Sequence, residues 1–148
     1  MTTRYAIDSI PGKIMKTLKT KLYHGTGCEN VESISRDGLK ISNKESPWPE
    51  ESEGRTDYRK LAPTGVYLTT SIDNALYFGK EASRGGNACV FEVSCIVDGA
   101  RIGSDGWGDK MTDMPVPPSC VRLLPREEIA SNLSMEIDDL EKYIDELN

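Results

Sequence analysis

The stretch that most limits what this chain can become is Ala88-Cys89-Val90-Phe91-Glu92-Val93-Ser94-Cys95-Ile96-Val97. Its odd positions are apolar, its even positions include Glu92 and Ser94, and Arg84-Gly85-Gly86-Asn87 and Asp98-Gly99 punctuate its ends. That alternation is the signature of a strand with one face on a core. A strand of this kind needs sheet partners. With 148 residues, the chain is long enough for one domain with a substantial core and too short for two ordinary ones, so a single domain spanning 1–148 is expected.

Hydrophobic residues at 37% and charged residues at 28% suit a globular chain better than a disordered one. No apolar run approaches the length of a membrane span, and the first residues lack the basic start and apolar core of a secretory signal. A cytoplasmic protein without membrane association is therefore expected. The formal charge of -6 argues against a broad grip on nucleic acid phosphates. Cys28, Cys89, Cys95 and Cys120 form no Cys-x-x-Cys pair, and His24 is the one histidine, so a zinc site is not expected. Cys89 and Cys95 share parity with Phe91 and Val93, which reads as reduced cysteines in a core.

The remaining elements follow in order. Lys13 to Leu18 reads as a short helix, and Leu18 or Thr20 to His24 as a strand broken by Gly25-Thr26-Gly27. Asn30 to Gly38 reads as a helix with Val31 and Ile34 on one face and Gly38 as its stop. Ser42 to Pro63 carries two prolines before Gly54 and five acidic residues, which predicts a long loop serving as a lid or recognition segment. Gly65 to Thr69 reads as a strand, and Ser71 as the N-cap of a helix that buries Ile72, Ala75 and Leu76. Ala100 to Ile102 suggests a short strand, Gly103 to Pro118 a loop, and Cys120 to Leu124 a last strand. After Pro125, apolar residues at Ile129, Leu133, Ile137, Leu140, Ile144 and Leu147 predict one acidic amphipathic helix over 126–148. The expected class is α+β, a split antiparallel β-sheet core with flanking helices.

Leu22-Tyr23-His24-Gly25-Thr26, the Gly38-Leu39 helix ending, and Gly65-Val66-Tyr67-Leu68 followed by Ser71 to Tyr77 resemble, in that order, the ADP-ribosyltransferase superfamily. The branch they resemble is the diphtheria-toxin-like and poly(ADP-ribose) polymerase-like one. The resemblance covers roughly residues 19–125 and implies NAD as co-substrate, no metal, and a protein acceptor. It implies that His24 and Gly25 meet the adenosine ribose and the nicotinamide amide, that Thr26 adds a hydroxyl contact, and that Tyr67 and Tyr77 sandwich the pyridine ring. The two strand ends would then line one nucleotide pocket. Where the family carries a catalytic glutamate at the start of a late strand, the alignment places Ser119, whose hydroxyl cannot steady a cation as a carboxylate does. Mono-ADP-ribosyl transfer is the activity implied. A silent NAD-, ADP-ribose- or partner-binding relative, an RNA 2′-phosphotransferase and an NAD glycohydrolase are the alternatives.

Overall fold

The structure is a computed structural model that describes residues 14–41, 66–83, 86–104 and 109–147. The loop expected over Ser42 to Pro63 lies outside these residues, as do Lys13 and the Arg84-Gly85 half of the expected turn. Strands β1 (Met15–Gly27), β2 (Val66–Thr69), β3 (Ala88–Val97), β4 (Ile102–Ser104), β5 (Asp109–Thr112) and β6 (Val121–Leu123) form one six-stranded sheet. Its order is β4-β5-β2-β1-β3-β6, and every pairing is antiparallel. Helices α1 (Val31–Asp37), α2 (Ile72–Ala82), α3 (Arg126–Asn132) and α4 (Ile137–Glu146) complete a mixed α/β architecture. No described helix is long and apolar enough to cross a membrane.

The joints of the sheet differ in strength. Strand β1 pairs with β3 at nine positions, from Met15↔Val97 to Gly27↔Ala88. It meets β2 at a single register pair, Tyr23↔Thr69. Strand β2 instead spends its length on β5, pairing from Val66↔Thr112 to Thr69↔Asp109. The sheet thus parts between β1 and β2 beyond Tyr23.

Each face has its own core. On one side Leu22, Leu68, Phe91, Val93 and Leu39 pack with Ile34 of α1. On the other, Val90 meets Ile72 and Leu76 of α2, Ile129 of α3, and Leu140 and Ile144 of α4. Local signals explain the helix that separates β2 from β3. Ser71 Oγ accepts from Asn74 N–H at 3.1 Å, and Ile72, Ala75 and Leu76 are buried as the stripe predicts. Helix α1 ends at Gly38, whose φ of 80° suits glycine and whose backbone lies against Val116 and Pro118.

Six sequence expectations are corrected. Met15 to Leu18 is strand rather than helix, because Met15–Thr17 pair with Val97–Cys95 of β3. Gly25-Thr26-Gly27 continues β1 instead of breaking it. The short strand expected at Ala100 to Ile102 is Ile102–Ser104, and the stretch expected to be a loop contains β5, whose Asp-Lys-Met-Thr sequence has too little apolar alternation to announce itself. The C-terminal helix is two helices, separated where Ser134 takes a φ of 58°. Both bury residues of the same 3.6-residue stripe, so periodicity persists across the break. The cysteines are not reduced: Cys28 pairs with Cys89 and Cys95 with Cys120, with Cα separations of 5.2 and 5.0 Å. Parity placed Cys89 and Cys95 on one face of β3 but carried no information on partners arriving from other segments.

Candidate functional site

Alternation along β1 divides His24-Gly25-Thr26 between the two faces of the sheet. Tyr23 packs with the α2 side, and a Cβ placed on Gly25 would lie 1.6 Å from the Ala75 carbonyl oxygen. Gly25 is therefore where α2 rests on β1. His24 and Thr26 point the other way, into a pocket of about 280 Å³ lined also by Asn30, Ser33, Gly38, Leu39 and Lys40. Ligand sites commonly run about 300–1,000 Å³, so this one has room for one end of a dinucleotide rather than the whole.

His24 bridges the parting of the sheet. Its Nδ1–H donates to the Tyr67 carbonyl oxygen at 2.8 Å, linking β1 to β2 where their ladder has stopped. A carbonyl only accepts, so Nδ1 must carry the proton. Burial pushes the His24 pKa below its ordinary 6.5, and the Tyr67 bond opposes that only in part. At neutral pH the ring is uncharged with Nε2 as an acceptor, suited to a donor such as a ribose hydroxyl. Thr26 is buried, and its Oγ1 accepts from Asn30 Nδ2 at 3.1 Å, tying the strand to the turn that opens α1.

The Tyr67 ring lies on the opposite face. Val66 and Leu68 belong to the α1-side core, so the side chain between them points toward α2, where its ring meets Phe78 at 5.2 Å and 43°. The expectation that His24 and Tyr67 line one pocket is corrected: they meet through imidazole and backbone, and their rings do not share a ligand face. Tyr77, half-exposed on α2, meets Phe78 edge-on at 5.6 Å and 67°. Phe78 thus contacts both tyrosine rings, a role the sequence reading missed. Its adjacency to Tyr77 was the available signal.

Ser119 is exposed, in a turn (Pro118–Cys120) that packs against α1, and is not among the residues lining the pocket. Buried carboxylates occur elsewhere. Glu92, on β3, is held by Arg122 Nε and Nη2 at 3.3 and 3.2 Å and by Lys21 at 3.3 Å. Asp109 is 9% exposed at the start of β5, opposite Thr69 and on the sheet face that carries the Tyr67 ring. Sequence reasoning overlooked it because β5 itself went unseen. Among the described residues no cluster of His, Cys, Asp and Glu is arranged to hold a metal ion.

No protein-family model matches the chain, and no curated protein matches it.

Proposed function

We propose that this protein is an NAD-dependent mono-ADP-ribosyltransferase that modifies a protein acceptor, with the dinucleotide lying across the parting between β1 and β2. One observation carries this reading: the neutral imidazole of His24 spans that parting through Nδ1, so its Nε2 can accept from a ribose hydroxyl in the adjoining pocket. The adenosine end would occupy the pocket of His24, Thr26 and Asn30. The nicotinamide end would reach the opposite face, beside the aromatic rings of Tyr67, Phe78 and Tyr77. A ligand with two ends fits a site whose two parts lie on different faces. A single pyridine ring held between His24 and Tyr67 does not.

The reaction breaks the bond between C1′ of the ribose and the pyridine nitrogen, and the electron pair leaves with nicotinamide. The acceptor nucleophile then bonds to C1′ and loses its proton. Charge develops on the ribose, so a carboxylate nearby lowers the barrier. Asp109 supports the reading better than Ser119 does, because it is anionic when ionised, stands at the start of a strand and shares the Tyr67 face. An acceptor rather than water as nucleophile separates this reading from a glycohydrolase. The placement of the His24 and Tyr67 rings on opposite faces of the sheet favours a second reading, a silent NAD or ADP-ribose binder. The disulfides favour an oxidising compartment over the cytoplasm.

The test is incubation of the oxidised protein with tagged NAD and a complex protein mixture, with free nicotinamide, free ADP-ribose and protein-bound label all measured. Label on protein that disappears in His24→Ala supports transfer. Free ADP-ribose without label would make it a hydrolase, and NAD binding without nicotinamide release a silent binder. Absence of NAD binding at millimolar concentration would end the reading.

A further inference from the structure

We propose that the Cys28–Cys89 disulfide is the positioning element of the His24 pocket, so that the nucleotide site is assembled in the oxidised protein and loosened when this bond is cut. This rests on the reading of that pocket as a nucleotide site. The pocket has a floor and a wall. The floor is β1, through His24 and Thr26, and the wall runs from Asn30 through α1 to Lys40. Cys28-Glu29-Asn30, a 3-10 turn, joins them, and neither it nor α1 has a side-chain N-cap bond.

Helix α1 has seven residues and one buried side chain, Ile34. A helix this short is held by its attachments rather than by its own hydrogen bonds. At its leading end those attachments are Cys28 N–H to the Asn87 carbonyl at 3.0 Å, Asn30 Nδ2 to Thr26 Oγ1 at 3.1 Å, and the disulfide. Cys89 lies directly across from Thr26 in the β1–β3 ladder. The covalent link thus clamps the turn beneath the hydroxyl that contacts the wall. Cutting it leaves two neutral hydrogen bonds at the leading end of the wall, while the Leu39–Val116 backbone pair still holds the trailing end.

The second bridge is the comparison: it ties β3 to the turn packed against the far side of α1. Cys95 and Cys120 are 8% and 0% exposed within the core, and neither lines the pocket. Cys28 and Cys89 are both only partly buried, so of the two bridges theirs is the less shielded from a small thiol. Exchange with a small dithiol breaks this S–S bond, returns a proton to each cysteine sulfur and leaves the reagent as a disulfide. A small-molecule disulfide such as oxidised glutathione reverses it.

The test compares oxidised wild type, Cys28→Ser/Cys89→Ser and Cys95→Ser/Cys120→Ser, using NAD titration and amide exchange over Cys28 to Asp37. The first pair is expected to bind NAD about tenfold more weakly than wild type and to exchange faster across that segment than the second pair does. Brief dithiothreitol treatment of wild type, with mass spectrometry confirming which bond is cut, provides the same comparison without substitution. Equal exchange across Cys28 to Asp37 in all three proteins overturns the proposal, as does an equal change in both variants. Loss of protection throughout the chain also overturns it, since the bond would then hold the fold rather than the rim. If wild type binds no NAD, the functional reading fails, and the exchange comparison alone decides the role of the bond.

Discussion

The two faces of the sheet at the β1–β2 parting are built in opposite ways from adjacent residues. On the α2 face, Gly25 has no side chain because the Ala75 carbonyl occupies its place, and the Tyr67 ring packs on Phe78. On the α1 face, His24 and Thr26 border a cavity edged by polar groups of Asn30, Ser33 and Lys40. One face is close-packed and intolerant of added volume; the other holds space and directed polar atoms. The difference shows that a motif of three consecutive strand residues serves two purposes, packing at its centre and recognition at its flanks, because alternation separates them by a full sheet thickness.

The strongest challenge to that division is Gly25→Ala. A methyl group there meets backbone rather than a flexible side chain, so the loss of stability should reach or exceed the upper end of about 1–3 kcal/mol for overpacking. Thermal denaturation measures it, and an unchanged midpoint would mean that α2 does not rest on Gly25. Asp109→Asn keeps shape and removes charge. Transfer should slow by about 10²-fold while NAD affinity changes only severalfold, as expected for a group acting on developing charge. A loss of affinity alone would assign Asp109 to binding.

On the open face, His24→Ala should weaken NAD binding by about 1–3 kcal/mol, since it leaves a ribose hydroxyl in the pocket without its acceptor and removes the bond from the imidazole to the Tyr67 carbonyl. Titration of variant and wild type side by side measures the change. Acidification should mimic it. The folded protein binds the His24 proton less readily than the unfolded chain, so the unfolded state holds more protons between the lowered folded value and 6.5. Stability should therefore fall as pH drops below about 6.5, and NAD affinity only at the lower pH where the folded ring itself takes up a proton. His24→Ala should lack this component, which a pH series of denaturation curves on both proteins would reveal.

The smallest effect belongs to the packed side, where the Tyr143 hydroxyl donates to Asp73 and joins α4 to α2. That bond, with burial, pushes the Tyr143 pKa up to about 12. Tyr143→Phe should cost about 0.5–1.5 kcal/mol and leave NAD binding unchanged. A change in binding would show that the packed face communicates with the pocket.

Much of the fold was legible where signals are local. The β3 alternation, the Ser71 cap, the buried stripe of α2 and the glycine stop of α1 each depend on residues a few positions apart, and each element lies where the sequence predicts. The candidate site was legible by name but not by arrangement. His24, Thr26 and Tyr67 were recognisable as residues of interest, whereas the hydrogen bond from His24 reaches across a separation of 43 residues. Ser119 was singled out because it aligns with the late-strand glutamate of the family the chain resembles, and Asp109 was passed over because its strand carries no readable pattern.

What the sequence determined by itself was therefore the local periodicity, the caps, and the side of β1 on which each motif residue would fall once a strand formed. Only the tertiary structure decided which strands pair, where β1 and β2 part, which cysteines join, and which carboxylate shares a face with Tyr67. The reason is physical. Backbone stereochemistry and neighbouring side chains set the first group, while the second results from competition among distant segments for the same sheet edges and core volume.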